Sequence, residues 1–100
     1  MVAKPFTIDT RSFRKKGDAT AFFRAMLNRY RPGNRVSDAD AADLAALLKC
    51  HTEYADKVGS GIDHFRVMTN LFNTQSFEIV RTDGTLDDFS YKHCITPKLD

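Results

Sequence analysis

A chain of 100 residues with 42% hydrophobic and 28% charged residues has the size and composition of one globular domain and no room for a second core. Its two cysteines are too few for a disulfide-stabilised secreted fold, and no stretch approaches the roughly 20 apolar residues that a membrane span needs. The net charge of +2 excludes a uniformly basic or uniformly acidic protein.

The chain is therefore expected to form one domain over residues 1–100, with loose tails at residues 1–5 and 96–100. No apolar segment of the kind that directs secretion stands at the N-terminus. We expect a cytoplasmic protein whose thiols stay reduced and which makes no membrane contact.

The first elements in chain order are a short extended segment over residues 6–13 and a helix. Asp18 is the expected N-cap of the helix, and the Arg-Pro-Gly sequence at residues 31–33 is its expected end. Apolar residues recur at steps of three and four between these limits, which predicts one buried stripe. The stripe consists of Ala19, Phe22, Phe23, Met26, Leu27 and Tyr30.

A second helix is expected to start near Ser37 or Asp38. Ser37 with Asp40 three residues later is a variant of the capping box. Asp38, Asp40 and Asp43 suit the positive end of the helix dipole, while Lys49 and His51 suit the negative end. Residues 52–61 form a transition that contains one helical turn.

Beyond residue 61 the apolar period changes to two, which is typical of strands. One strand runs through Phe65 and Val67, and a second runs through Phe77 and Ile79, with residues 70–74 between them. The Asp-Gly pair at residues 83–84 predicts a hairpin turn, because glycine accepts the positive φ of tight turns. A third strand should follow over residues 86–91.

These elements predict an α+β fold with two main helices packed on a small antiparallel sheet of three to four strands. The extended segment at residues 6–13 would supply the extra edge strand. The helices are expected to cover one face of the sheet.

Two groups of residues resemble reactive centres but are better explained as structure. Ser60 lies between two glycines without the frame of a nucleophile elbow or a phosphate-binding loop. The pairs Cys50-His51 and His93-Cys94 are ligand types for zinc, but adjacent residues on a strand point to opposite faces. We therefore expect no metal, no cofactor and no catalytic residue, and a binding protein rather than an enzyme.

Three aspartates around the hairpin, Asp83, Asp87 and Asp88, leave one enzymatic hypothesis open. Together with His51 they could hold a metal ion for phosphodiester hydrolysis. The alternative is that Asp83 makes the turn and that Asp87 and Asp88 lie on a solvated strand end. We keep a metal-dependent nuclease as the third of three functional hypotheses.

Positive charge is concentrated at the N-terminal end. Residues 1–35 contain nine lysines and arginines against two aspartates, a net charge of +7, and residues 36–100 carry −5. Lysine and arginine within reach of a nucleic-acid backbone bind it through counterion release. The densest basic run is Arg11, Arg14, Lys15 and Lys16.

The C-terminal half carries a distinctive motif. Residues 77–95 read FEIVRTDGTLDDFSYKHCI, and His51 is followed at fixed spacing by Lys57, Gly59, Gly61 and Ile62. This pattern resembles the DCL family, named for defective chloroplasts and leaves, which is also known as a domain of unknown function. Its stand-alone bacterial members have the length of this chain.

The resemblance implies a connection with RNA. Plant members of the family are associated with maturation of plastid ribosomal RNA, and similar domains occur at the tail of plant RNA polymerase large subunits. The family supplies no catalytic residue that could be carried over.

The motif residues admit two interpretations. In the structural one, Arg81 pairs across the hairpin with Asp88 and fixes the strand register, with a bulge near the turn. In the functional one, a pocket holds a phosphate group. The pocket would consist of His51, Lys57, Arg81, Asp83, Asp88 and Ser90.

Our leading hypothesis is an RNA-associated binding protein connected with ribosomal RNA maturation. The alternative is a protein-interaction module of a ribosomal or polymerase assembly, so the expected partners are RNA or a protein of such an assembly. The expected RNA contacts are Arg11, Arg14, Lys15, Lys16, Arg24, Lys57 and Arg81.

Overall fold

The computed structural model describes residues 5–69 and 74–96 as four helices and five strands in this part of the chain. The predicted connection at residues 70–73 and most of both predicted tails lie outside the described residues. In chain order the elements are β1 (Phe6–Ile8), β2 (Arg11–Phe13), α1 (Lys16–Asn28), α2 (Asp38–Leu48), α3 (Tyr54–Val58), β3 (Ile62–Thr69), β4 (Gln75–Arg81), β5 (Leu86–Phe89) and α4 (Tyr91–Ile95).

The predicted α+β class is confirmed. Strands β3, β4 and β5 form an antiparallel sheet in that order, and one face of the sheet packs against the helices. The core is built from the inward side chains of both layers, because alternate strand residues and one helix stripe share the same side. Its largest buried side chains include Phe23, Met26, Leu44, Leu47, Phe77 and Ile79.

The N-terminal segment was predicted to form an edge strand of the main sheet, and this prediction is wrong. Residues 6–13 fold back on themselves, so that β1 and β2 form a separate two-stranded sheet with Phe6 opposite Phe13. The hairpin packs on α1 through aromatic contacts, with the Phe13 and Phe22 rings 5.6 Å apart. Burial of these rings against α1 therefore replaces pairing with a strand edge.

Helix α1 begins earlier than predicted. Lys15 is its N-cap residue, and Asp18 lies within the first turn, where its carboxylate still faces the positive end of the helix dipole. The predicted stripe is otherwise found, but the helix ends at Asn28. Tyr30 therefore lies beyond it, and its hydroxyl donates a hydrogen bond to Asp40 at 2.6 Å.

Helix α2 starts as predicted, because the Ser37 side chain accepts a hydrogen bond from the Asp40 N–H at 3.3 Å. It ends at Leu48. Asp43 is 5% exposed, and it accepts a hydrogen bond from Arg11 Nε at 3.0 Å. A buried carboxylate needs such a partner, so this pair ties α2 to the N-terminal hairpin.

The turn at residues 83–84 is confirmed, with Gly84 at φ +86° and Asp83 Oδ1 accepting from the Thr85 N–H at 3.0 Å. The register shift in the sheet lies between Ile62 and His64 of β3, opposite Arg81 and Val80 of β4, whereas the pairing of β4 with β5 across this turn is regular. The predicted bulge is therefore found close to the turn, but in β3 and not in the hairpin.

The third strand ends two residues early, and a helix follows that was not predicted. Ser90 caps α4 by accepting a hydrogen bond from the His93 N–H at 3.4 Å. Tyr91, Cys94 and Ile95 are buried on one side of it, because steps of three and four residues share a helix face. No helix in the described part of the chain is long and apolar enough to cross a membrane.

Candidate functional site

An open cleft of about 1110 Å³ lies where α1, α4, the turn after α2 and the start of β4 meet. Arg24 and Asn28 of α1 line one wall, and His93 with its neighbours in α4 lines another. The end of β5 and the turn at residues 51–53 complete the lining. The helix packing that builds the core therefore also builds this cleft.

The cleft carries more positive than negative side chains. Arg24, Lys57 and Lys92 line it together with the acidic Glu53 and Asp88. Arg24 and Lys92 have no carboxylate partner among the described residues. These two cations are therefore available to an anionic ligand.

The cleft collects four of the six predicted pocket residues, namely His51, Lys57, Asp88 and Ser90. The other two lie elsewhere: Asp83 is in the β4–β5 turn, bound to Thr85, and Arg81 lies beneath α3. Sequence reasoning missed Lys92, His93 and Thr52, which belong to α4 and the turn after α2. For the two α4 residues, Ser90 as a candidate N-cap was the available signal.

Two histidines are in contact in the cleft, although 42 positions separate them in the sequence. The ring centroids of His51 and His93 are 4.5 Å apart. His51 Nδ1 accepts a hydrogen bond from the Glu53 N–H at 2.9 Å, so a neutral His51 carries its proton on Nε2. His93 Nε2 lies 2.8 Å from the Thr52 hydroxyl.

The surroundings of His51 disfavour its charged form. Burial lowers the pKa of His51, and the nearby His93 and Lys57 lower it further, against smaller opposing effects of Glu53 and Asp87. The unperturbed imidazole already titrates near pH 6.5. The His51 ring is therefore mainly neutral at pH 7.

Arg81 is held by a dense set of hydrogen bonds and is 13% exposed. Its Nε donates to the carbonyl of Lys57 at 3.0 Å, and its Nη2 donates to the carbonyl of Asp56 at 3.2 Å and to Asp87 at 2.9 Å. These backbone carbonyls belong to the last turn of α3, where they lack helical partners. Arg81 therefore ties α3 to the sheet.

The predicted pairing of Arg81 with Asp88 is wrong, because the carboxylate partner is Asp87. Asp88 lies opposite Glu78 in the sheet, on the other face. Lys57 also donates to Asp87, at 3.2 Å, and to the carbonyl of Asp88 at 2.7 Å. Burial alone would raise the pKa of Asp87, but the hydrogen bonds from Lys57 and the Asp88 N–H hold it below its usual range.

The four cations of the N-terminal basic run differ in their contacts. Arg11 bonds to Asp43 and lies over the Phe22 ring, 4.4 Å from its centroid. Arg14, Lys15 and Lys16 are exposed and form no ion pair within the described ranges. Arg11 therefore has a structural partner, while the other three cations face solvent.

Helix α1 connects this run with the cleft. Lys16, Thr20, Arg24 and Asn28 are spaced by four residues, and such residues lie along one flank of a helix. Arg24 and Asn28 at the far end of this flank line the cleft. A path with two cations, Lys16 and Arg24, therefore runs along α1 to the cleft, with the uncharged Thr20 between them.

The residues proposed for a nuclease do not assemble a metal site. Asp83 binds Thr85 in the turn, and Asp87 is engaged by Lys57 and Arg81. Across residues 5–69 and 74–96, no three His, Cys, Asp or Glu side chains are grouped so that they could hold a metal ion.

Both cysteines are free thiols, and Cys94 is 1% exposed. Burial, with a smaller effect of Cys50, raises the pKa of Cys94 to about 12. Only the thiolate reacts with alkylating agents, so at pH 8 the reactive fraction is on the order of 10⁻⁴. We expect iodoacetamide to leave Cys94 unlabelled in the folded protein and to label it in denaturant, as read by peptide mass spectrometry. Equal labelling rates in both states would contradict this burial.

Residues 24–95 match the family model described as a protein of unknown function, DUF3223. The chain is 38% identical over 79 residues to Protein DCL, chloroplastic, from Solanum lycopersicum, covering 74% of this chain and 35% of that protein. It is 40% identical over 53 residues to Protein EMBRYO DEFECTIVE 514 from Arabidopsis thaliana, covering 52% and 26%. The resemblance to the DCL family is thereby confirmed.

Two further similarities bear on the fold and its setting. The chain is 30% identical over 73 residues to DNA-directed RNA polymerase IV subunit 1 from Arabidopsis thaliana, covering 72% of this chain and 5% of that protein. It thus spans a minor part of each of these relatives. The solution NMR structure of an uncharacterized protein from Rhodospirillum rubrum is 47% identical, with a TM-score of 0.86, covering 92% of this chain and 88% of that one.

Proposed function

The chain belongs to this family of proteins of unknown function, DUF3223, and on that premise we propose that it is a cytoplasmic RNA-associated binding domain connected with ribosomal RNA maturation. It contacts backbone phosphates along the α1 flank and in the cleft. The observation that carries the proposal is the path from Lys16 through Arg24 to the cleft, whose two cations have no carboxylate partner among the described residues.

The chemistry of this path suits a phosphate backbone. The cations on it are exposed and lack carboxylate partners within the described residues, so binding need not break an existing ion pair. A contact surface made of lysines and arginines reads charge and not base sequence. We therefore expect binding that weakens steeply with salt and discriminates poorly between sequences.

The residues predicted to contact RNA differ in whether their charged groups are free to bind it. Arg14, Lys15, Lys16 and Arg24 are exposed, whereas Arg11, Lys57 and Arg81 already bind carboxylates. In the refined proposal, the exposed group binds phosphate directly and Lys92 joins it from α4. Arg11, Lys57 and Arg81 keep the elements beneath the path in place.

The proposal is tested by fluorescence anisotropy of a labelled structured RNA between 50 and 300 mM salt. The Lys16→Gln/Arg24→Gln variant is expected to bind about tenfold more weakly at 50 mM salt, with a logarithmic salt slope smaller by about 2, one per lost phosphate contact.

The matched control is Arg31→Gln/Arg35→Gln, which removes the same charge from two exposed side chains outside the described lining of the cleft. It should retain most of the affinity. Equal weakening in both variants would show that net charge and not the path is responsible, and absence of binding at low salt would refute the proposal.

A second candidate is a protein-interaction module of a ribosomal or polymerase assembly. It is favoured by the match to part of DNA-directed RNA polymerase IV subunit 1 and by the exposed Leu86 on the outer side of the sheet, which is 50% accessible. A protein partner retained in a pull-down after nuclease treatment, by wild type but not by Leu86→Ser, would favour this function over RNA binding.

A further inference from the structure

The contact between His51 and His93 lies outside the buried core. Both rings line the open cleft and are partly exposed, so neither is needed to fill the core. Two imidazoles with centroids 4.5 Å apart repel each other when both are protonated. The nearby Lys57 adds to this repulsion.

Each ring nevertheless keeps one nitrogen for a ligand. His51 uses Nδ1 to accept from the Glu53 N–H, and His93 uses Nε2 with Thr52. His51 Nε2 and His93 Nδ1 have no hydrogen-bond partner in the part of the chain that the structure describes. The neutral His51 ring already carries a proton on Nε2 and can donate it to an anionic oxygen, whereas a second proton would occupy Nδ1 and displace the Glu53 N–H. His93 can take up a proton if the Thr52 hydroxyl accepts from its Nε2, and a bond from an imidazolium to an anionic oxygen is stronger than a neutral one.

Charged groups of both signs surround the pair or line the same cleft. They come from α1, α3, α4, β5 and the turn after α2. They are Arg24, Lys57, Lys92, Glu53, Asp87 and Asp88. Lys57 and Asp87 bind each other. Among these groups, Arg24 and Lys92 are then the cations, and Glu53 and Asp88 the carboxylates, that form no ion pair within the described residues.

We propose that His51 and His93 form a proton-coupled phosphate subsite, in which an RNA phosphate entering the cleft draws a proton onto the imidazole pair. This inference rests on the RNA-binding function proposed above. It adds which residues of that site bind the phosphate and how proton binding is coupled to RNA binding. The bound phosphodiester adds negative charge beside the rings, so the imidazolium form is more favourable in the complex than in the free cleft.

The coupling between proton binding and RNA binding fixes the direction in which RNA affinity changes with pH. In the free protein burial and neighbouring positive groups lower the pKa of His51, and in the complex the phosphate favours a protonated form of the imidazole pair. Because coupling is reciprocal, protons must strengthen RNA binding by the same factor by which RNA strengthens proton binding. Affinity is therefore highest at low pH and falls as the pH rises through the pKa of the complex.

The experiment measures RNA anisotropy from pH 5.5 to 8.5 at constant ionic strength. A rise of one unit in pKa on binding corresponds to binding that is at most about tenfold tighter at pH 5.5 than at pH 8.5. His51→Gln and His93→Gln should each flatten this dependence.

His64→Gln is the matched control, because His64 is the third histidine of the chain and lies on β3 beside Asp63, 2.6 Å from its carboxylate. This variant should keep the full pH dependence. RNA binding that is independent of pH would overturn the subsite while leaving the proposed function standing. No binding at any pH would overturn both.

Imidazole NMR signals of the wild-type protein provide a second measurement that does not depend on a variant folding. Addition of RNA should move the titration midpoint of at least one ring of the His51–His93 pair to higher pH and leave that of His64 in place. Unchanged midpoints for both His51 and His93 in the RNA complex would also overturn the subsite.

Discussion

Replacement of Arg81 by alanine should lower the free energy of unfolding by about 3 kcal/mol, as expected when one partner of a largely buried ion pair is removed. The change leaves Asp87 without its 2.9 Å bond and leaves the carbonyls of Asp56 and Lys57 at the end of α3 without a donor. Urea unfolding followed by far-ultraviolet circular dichroism measures the loss.

Arg35→Ala is the matched control, because Arg35 is exposed and its side chain forms no ion pair within residues 5–69 and 74–96. Its cost should stay within about 0.5 kcal/mol. Arg81→Lys tests the geometry, since lysine keeps the charge but lacks the planar fork that reaches two carbonyls and a carboxylate together. A loss below about 1 kcal/mol for Arg81→Ala would contradict the assigned structural role.

This stability measurement also separates the two interpretations of the motif at residues 77–95. A residue that binds RNA and supports nothing else can be replaced at little cost to folding, whereas Arg81 is expected to be costly. RNA affinity of the folded Arg81→Lys variant should then stay close to wild type. A large loss of affinity at unchanged stability would instead restore Arg81 as a direct phosphate contact.

The error in the partner of Arg81 had a source that was visible in the sequence. Strand alternation places Phe89 in the core, and Asp87, two residues earlier, must share its face. Arg81 shares its face with Ile79 by the same rule, and Ile79 lies opposite Asp87 in the sheet. Applied consistently, the two-residue alternation of a strand would therefore have predicted Asp87 as the partner of Arg81 and placed Asp88 on the face of the sheet away from the helices.

Helices α1 and α2 and the hairpin turn were predictable because each has a strong local signal, namely a long apolar stripe, a capping serine or an Asp-Gly pair. Helix α4 has five residues, too few for periodicity to distinguish it from the end of a strand. The helical form of this segment depends on two features, namely Ser90 as its N-cap and the burial of Tyr91. The cap is a local feature, whereas the burial is a tertiary interaction that the sequence alone does not show.

The cleft could not be predicted from any local pattern. His51 follows α2, His93 lies in α4, and Arg24 lies in α1, so only the packing of three helices places them around one opening. The motif did identify His51, Lys57 and Ser90 as neighbours. It gave no reason to add Arg24 or Lys92, which carry the charge available to a ligand.

Replacement of Gly59 by alanine should destabilise the fold by about 3 kcal/mol, through backbone strain and through a collision. Gly59 has φ +55° and ψ −119°, a conformation that residues with a Cβ rarely adopt. A Cβ at this position would lie 2.9 Å from both Cδ and Nε of Arg81. Arg81 cannot move aside freely, because its hydrogen bonds to α3 and Asp87 hold it.

Gly33→Ala separates the two contributions, because Gly33 has φ +94° but nothing within 4 Å of an added Cβ among the described residues. It should show the strain alone and cost about 1 kcal/mol less than Gly59→Ala. A double-mutant cycle then isolates the collision: in the Arg81→Ala background, Gly59→Ala should cost about 1 kcal/mol less than in wild type. An equal loss of stability in the two backgrounds would show that Gly59 is required for its backbone conformation alone. The packing of Arg81 beneath α3 would then not explain the spacing of Lys57, Gly59 and Arg81.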